Sequence, residues 1–404
     1  MVTKNKKRHI DLKRLLLVIS IGLILLGIVL FLITRVFSFF GSSSTPETSS
    51  KPEETTVSFL GVGDNLIHDT VYKDCQQADG SYDFTKLYTN IEEDVQKADI
   101  AFINQETILG GTALGLSGYP TFNSPTEIAQ NLEDVGFNVA NLATNHCLDR
   151  SEQGIINALD AFSKTDIVTD GIYTSTEAFD TIPTFKKKGI TFSFLAYTYG
   201  TNGIEAPNGY NVSYFDEEQI KKEVQEAKKV SDVVIVSAHW GDENTFMPND
   251  FQKQYAQLFA DCGVDVVIGT HPHTIQPVEW IQGKDGHSML CVYSLGNFMG
   301  GMLKAQNVIG GQIEFDFVKT SKDIEIQNVQ WTPIIIHFEG NAKNILEERH
   351  DYKIYQWDQY NDSLAKKHVL QGYEGNSISM KEIESLTRDV IDEKYLGGLH
   401  GKKD

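Results

Sequence analysis

Residues 264–273 read Val-Asp-Val-Val-Ile-Gly-Thr-His-Pro-His. The β-branched run Val266, Val267, Ile268 has the composition of a buried strand, and Gly269 ends it. His271 and His273 follow with Pro272 between them. Proline fixes its own φ and pushes the residue before it toward extended backbone, so a stiff turn is expected. Two imidazoles on a stiff turn at a strand end make a good pair of metal ligands.

Working outward, the same arrangement recurs. Val57–Val62 predicts a strand ending in Gly63-Asp64-Asn65, and Ile100–Ile103 one ending in Asn104-Gln105-Glu106. Val139–Ala143 runs into Thr144-Asn145-His146, and Val233–Ala238 into His239-Trp240-Gly241-Asp242-Glu243. Helical patterns lie between them, at Pro125–Val135, at Ser151–Ser163, from a cap at Asp216 to about Val230, and from a cap at Asn249 to about Cys262. Strands alternating with helices predict α/β layers. Hairpins at Lys186–Gly189 and around Gly283–Gly286, with antiparallel candidates at Gly311–Phe317 and Ile324–Ile336, make the sheet mixed. No internal repeat is present.

In α/β sheets ligands collect beyond the carboxyl ends of the strands. Asp64, Asn104, Glu106, Asn145, His146, His239, His271 and His273 come from five stretches and share that position. Carboxylate, amide oxygen and imidazole together suit Mn, Fe(II) or Zn. The four cysteines, Cys75, Cys147, Cys262 and Cys291, form no C-x-x-C pair and no zinc-finger spacing. Ser294 has no evident partner base, so serine-nucleophile chemistry is not indicated.

The N-terminus has a different character. Residues 1–14 are basic, and Leu15–Thr34 is an uncharged, mostly apolar run long enough for a helix to span a bilayer. No A-x-A-like cleavage site follows it, so an uncleaved signal-anchor over 15–40 is expected, with residues 1–14 cytoplasmic and the remainder outside the cell membrane. Residues 41–56, rich in Ser, Thr, Pro and Glu, read as a flexible linker. A domain at 57–340 and a helical C-terminal extension at 341–404 complete the expected organisation. The formal net charge is −20, and residues 1–40 hold seven basic residues against one acid, so the rest of the chain carries −26. Such a domain repels nucleic acid, whose binding rests on basic side chains neutralising phosphates. An anionic or phosphate-containing substrate would need local help, which bound divalent cations supply.

The ordered set Gly63-Asp64, Asn104-x-Glu106, Asn145-His146, His239-Trp240-Gly241-x-Glu243, Gly269-x-His271-Pro272-His273 and Tyr293-Ser294-Leu295-Gly296-Asn297 resembles the CapA-type capsule-synthesis family, named for poly-γ-glutamate capsule production. Asn123-x-Pro125 and Asp149 fit the same pattern. The resemblance covers about Val57 to Gly300. It implies the calcineurin-like metallophosphoesterase fold, two packed mixed sheets flanked by helices in four layers. It also implies two divalent metal ions, one held by Asp64 and His273, the other by Asn145, His239 and His271, with Glu106 bridging. His146 would be the acid that protonates a leaving oxygen. Asn65, Asn104, Glu243 and Asn297 would line the site. Leu66 departs from the pattern, because the phosphoesterases place a ligating histidine there; water, Asn65 or His68 would have to complete the first ion's shell. Thr144 also departs, standing where a second asparagine is common. The implied activity is phosphoester hydrolysis in capsule polymer synthesis or export, with capsule-synthesis membrane proteins as partners. The alternative is a non-catalytic, polymer-binding scaffold.

Overall fold

A computed structural model describes residues 12–40 and 54–399. The chain divides into two units after Glu53. Residues 1–11 of the basic segment 1–14 and residues 41–53 of the linker 41–56 lie outside the described residues, and Thr55 and Thr56 belong to the first strand rather than to the linker.

The first unit contains one helix, Leu12–Phe40, of 29 residues. Its side chains are described at 16–17, 19–29 and 31–32, and these are exposed. They are mostly Leu, Ile, Val and Phe, but the set is shorter than a bilayer span. Among the described residues no helix is long and apolar enough to cross a membrane.

In the second unit the strands, in chain order, are β1 (Thr55–Asn65), β2 (Ile100–Asn104), β3 (Val139–Asn141), β4 (Val168–Asp170), β5 (Thr184–Lys187), β6 (Ile190–Thr198) and β7 (Val233–His239). They continue as β8 (Val266–Thr270), β9 (Val278–Gln282), β10 (Ser288–Val292), β11 (Asn297–Met299), β12 (Ile309–Lys319), β13 (Ile324–Gly340) and β14 (Arg349–Gln356). The first sheet runs β14-β13-β12-β1-β2-β3-β4, with β11 added beside the end of β1. The second runs β5-β6-β7-β8-β10-β9. Both are mixed. β1 to β4 are parallel while β12, β13 and β14 return antiparallel. β6, β7, β8 and β10 are parallel, with antiparallel β5 and β9 at the edges.

The period-2 alternation of the strands sorts side chains into layers. Val57 and Phe59 of β1 enter the core between the sheets with Phe102, Phe192, Phe194, Ile268 and Trp331. Leu60 and Val62 of the same strand point to the opposite face, where helices Glu127–Val135 and Ser151–Phe162 pack. Val234, Val236 and Val267 meet helices Glu217–Val230 and Asp250–Cys262 on the outer face of the second sheet. The result is two packed sheets between two helical layers, as the family resemblance implies. Local chemistry agrees: Asp216 accepts the Gln219 amide, and Asn249 and Gln252 form a reciprocal capping box.

The C-terminal segment departs from expectation. Within the expected helical extension 341–404, the described residues are not all helical, because Arg349–Gln356 pairs antiparallel with β13. Tyr352 and Ile354 alternate with polar neighbours and are buried, a strand period within a polar stretch. Helix Met380–Val390 follows, and Ile391, Tyr395, Leu396 and Leu399 enter the core between the sheets. No boundary falls at 340.

Candidate metal centre

β1, β2, β7 and β8 all bring their carboxyl ends to one place. Close backbone approach requires small residues there. A Cβ on Gly63 would lie 1.8 Å from the Gly296 carbonyl oxygen, and one on Gly269 2.0 Å from that of Tyr293. The turn after β8 is not the extended one that Pro272 suggests. His271 and His273 both have positive φ, 97° and 57°. Non-glycine residues in this region cost about 1–3 kcal/mol each and are held by their surroundings. Here the His271 amide donates to the Asp64 carboxylate at 3.2 Å, and the Asn307 side chain donates to the His273 carbonyl at 2.9 Å.

Glu106, His271 and His273 form the centre. One ligand atom from each lies within 4.8 Å of the others, and all three are buried. Both Glu106 carboxylate oxygens are buried without a hydrogen-bond partner, as is His271 Nδ1. Leaving a buried carboxylate unpartnered is costly, so these atoms fit a cation held between them. Glu106 Oε1 lies 3.5 Å from His273 Nε2 and 3.9 Å from His239 Nε2. Burial pushes the Glu106 carboxyl well above the usual range and pushes His239 and His271 well below that of free imidazole. Neutral imidazole is the ligating form. Burial also opposes charge on His273, yet Glu106 and Asp64 together raise its pKa to about 10.

The remaining predicted residues fall into three groups. Asn145 Oδ1 and His239 Nε2 stand 2.9 Å apart beside the centre, and Thr270 Oγ1 meets the other nitrogen of His239. Asp64, Asn104 and Asn297 form the supporting layer: Asn104 donates to Asp64 at 2.8 Å, and His273 Nδ1 faces both Asp64 Oδ2 (3.0 Å) and Asn297 Oδ1 (2.9 Å). Asn65 is held away by other side chains, while Glu243 lies at the edge of the centre, where its charge acts on Glu106 and His273. Asn65 is engaged by Gln105 and Tyr88, and Glu243 is exposed. His68 is also committed elsewhere, with Nδ1 at 3.0 Å from both the Leu66 carbonyl and the Gly301 amide.

His146 Nδ1 lies 2.7 Å from Asp149 Oδ2, and its ring meets Phe122 edge-on. The Phe122 amide donates to the same carboxylate oxygen. Asp149, given no role from sequence, is the residue that orients His146; its position three residues on was the available signal. Tyr199 packs on His271 with ring centroids 4.6 Å apart while remaining 42% exposed. It follows β6, which carries no polar residue of the kind that marked the other strand ends, and sequence reasoning missed it.

Two mixed sheets with buried carboxylate, imidazole and amide donors at their shared strand ends define an α/β protein with a candidate metal centre. The chain belongs to the family described as bacterial capsule synthesis protein PGA_cap, which it matches over residues 58–302. It is similar to the PGA biosynthesis protein CapA of Bacillus subtilis (strain 168), at 29% identity over 67% of this chain and 70% of the relative. It is also similar to the capsule biosynthesis protein CapA of Bacillus anthracis, at 27% identity over 43% of this chain and 42% of the relative. Among solved structures, one assigned as a 5′-nucleotidase from Staphylococcus aureus, in complex with alpha-ketoglutarate, matches with TM-score 0.44 and 15% identity over 69% of this chain and 54% of that one. A hypothetical protein from Thermus thermophilus matches with TM-score 0.38 and 12% identity over 75% of this chain and 99% of that one. Both scores are too low to assign a fold.

Proposed function

We propose that the chain is a membrane-anchored component of capsule polymer synthesis or export whose extracellular domain hydrolyses a phosphoester bond at a divalent metal centre. The observation that carries the reading is the buried Glu106 carboxylate, whose oxygens have no hydrogen-bond partner, grouped with ring nitrogens of His271 and His273. A bound divalent ion would acidify a coordinated water and polarise a phosphoryl oxygen. Glu106, His271 and His273 would hold it, with His239 and Asn145 alongside. His146 is the proton donor in this reading. Asp149 takes Nδ1 and leaves Nε2 to meet a leaving oxygen. The Phe122 ring fixes the plane of the imidazole. Strong negative charge elsewhere on the domain keeps a polyanion from binding without the cation.

The apolar run Leu15–Thr34, with six basic residues before it and Arg35 alone directly after it, supports an anchor with the N-terminus inside. Protease added to intact protoplasts is expected to remove the domain; a protected domain contradicts the orientation. The scaffold reading is favoured by one observation: Leu66, buried and apolar, occupies a position that ligates metal in phosphoesterases. The two readings separate on purified full chain loaded with Mn²⁺ and offered an aryl phosphate. Turnover that chelator abolishes supports hydrolysis. No turnover, together with loss of capsule polymer in cells carrying His146→Ala, supports the scaffold.

A further inference from the structure

The surroundings of Asp64 bear on how many ions the centre takes. A first ion at Asp64 would need the Asp64 carboxylate, His273 and at least one further donor. Each is otherwise engaged. Asp64 Oδ1 accepts from the Asn104 side chain at 2.8 Å, and both carboxylate oxygens lie 3.2–3.3 Å from the His271 amide. His273 Nδ1 lies between two acceptors, Asp64 Oδ2 at 3.0 Å and Asn297 Oδ1 at 2.9 Å, and so carries its proton. The orientation of Asn297 is set by its own amide nitrogen, which donates to the Asn307 carbonyl at 2.9 Å. Nε2 is therefore the His273 nitrogen left to ligate, and it faces Glu106.

The side chains beside Asp64 offered for its shell are apolar or hydrogen-bonded elsewhere. Leu66 is buried and has no donor atom. His68 Nδ1 is taken by backbone groups of Leu66 and Gly301, and its ring packs edge-on against Phe122. Asn65 donates to Gln105 and accepts from Tyr88. By contrast, the two Glu106 oxygens have no hydrogen-bond partner. A carboxylate holding the distal N–H of a ligating histidine is a common outer-shell device that fixes tautomer and ring orientation.

We infer that the centre takes a single divalent cation, on Glu106, His271 and His273, and that Asp64 and Asn297 are positioning residues that hold His273 rather than ligands of a second ion. This rests on the metal reading above and narrows it to one ion. Polarisation of the reacting group then falls to one cation, with His146 supplying the proton.

The test is calorimetric titration of the full chain with Mn²⁺ alone, with paramagnetic resonance of the loaded protein. One equivalent and an isolated-ion Mn²⁺ spectrum are expected. Asp64→Ala and Asn297→Ala are expected to keep a stoichiometry near one and weaken binding about 10–100-fold. Asp64→Asn, which retains an acceptor for His273 Nδ1, should recover part of that loss. Two equivalents in the wild type, with a coupled-pair spectrum and one whole equivalent lost in Asp64→Asn, would overturn the inference while leaving the metal reading intact. No Mn²⁺ bound by the wild type would overturn both. The wild-type stoichiometry and spectrum decide even if a variant fails to fold.

Discussion

Two groups of buried histidines in this chain look alike in composition and differ in what surrounds them. At the strand ends, His239, His271 and His273 crowd around a carboxylate whose oxygens have no partner. In the C-terminal part of the first sheet, His337 and His368 lie 5.3 Å apart among Phe338, Tyr355 and Tyr360. There three of the four ring nitrogens are used, and the fourth, His337 Nε2, has no hydrogen-bond partner and lies 3.7 Å from the partly exposed Glu339 carboxylate. His368 Nε2 meets the Ile336 carbonyl at 3.1 Å, and its Nδ1 accepts the Leu370 amide at 3.2 Å. His337 Nδ1 pairs with the Tyr360 hydroxyl at 3.0 Å. A buried imidazole therefore marks a site when its free nitrogen faces buried, unpartnered charge, and marks packing when backbone and phenol satisfy it.

That contrast is open to direct attack, beginning with the largest expected effect. In the phosphoesterase reading, His271→Ala should bring aryl phosphate turnover to background and leave the fold standing. His368→Ala should leave turnover per folded molecule unchanged and cost about 2–4 kcal/mol of stability, because it opens a cavity and strands two backbone groups. Denaturant melts paired with initial rates separate the two. Equal behaviour of the variants would erase the distinction between the clusters.

His146→Ala comes next. General acid catalysis is typically worth about 10²–10⁴-fold, so this loss is expected on an alkyl phosphate, whose leaving oxygen needs a proton. On an aryl phosphate the loss should be much smaller. Asp149→Asn should follow the same split more weakly. A uniform loss on both substrates would assign His146 to the metal shell instead.

The stability of the packing cluster should also depend on pH. Burial holds His368 at about 3 and His68 at about 4, below the ordinary value of 6.5. Both are neutral in the folded state, so as pH falls below 6.5 the unfolded chain takes up protons that the folded chain refuses. Stability is full above pH 6.5 and is lost toward pH 4, by at most about 3 kcal/mol from each group. Melts with chelator present, comparing wild type with His368→Gln, should show a shallower slope in the variant over this window. An unchanged slope would show that His368 is not held neutral.

Chelation should have the smallest effect. The domain buries cores on both sides of each sheet, so its folding is expected not to depend on metal. Removing the ion should lower the melting temperature by several degrees with the transition still cooperative. Complete unfolding by chelator at room temperature would make the centre structural.

Many of the strands and the site position were legible because these strands are short apolar runs, each ended by an abrupt polar group. Asp64, Glu106, His239, His271 and His273 stand at such ends. Capped helices were legible for the same local reason, as Asp216 and Asn249 show. β14 was not, because its apolar residues alternate with Asp351 and Lys353 in a polar stretch and depend on β13 for their burial. Asp149 and Tyr199 were also hidden: one orients His146 from within a turn, the other reaches His271 across the fold. The distinction between ligand and support was invisible in sequence. Asp64 and Glu106 are both acids at strand ends, and only the hydrogen bonds that occupy one and spare the other tell them apart.

The account stands or falls on whether the Glu106 carboxylate faces a cation. Elemental analysis of the full chain purified under metal-replete conditions, compared with Glu106→Gln prepared identically, measures this most directly. We expect a divalent metal in the wild type at close to a whole equivalent and a large fraction of it missing from the variant. Equal metal in both proteins, or none in either, would contradict it.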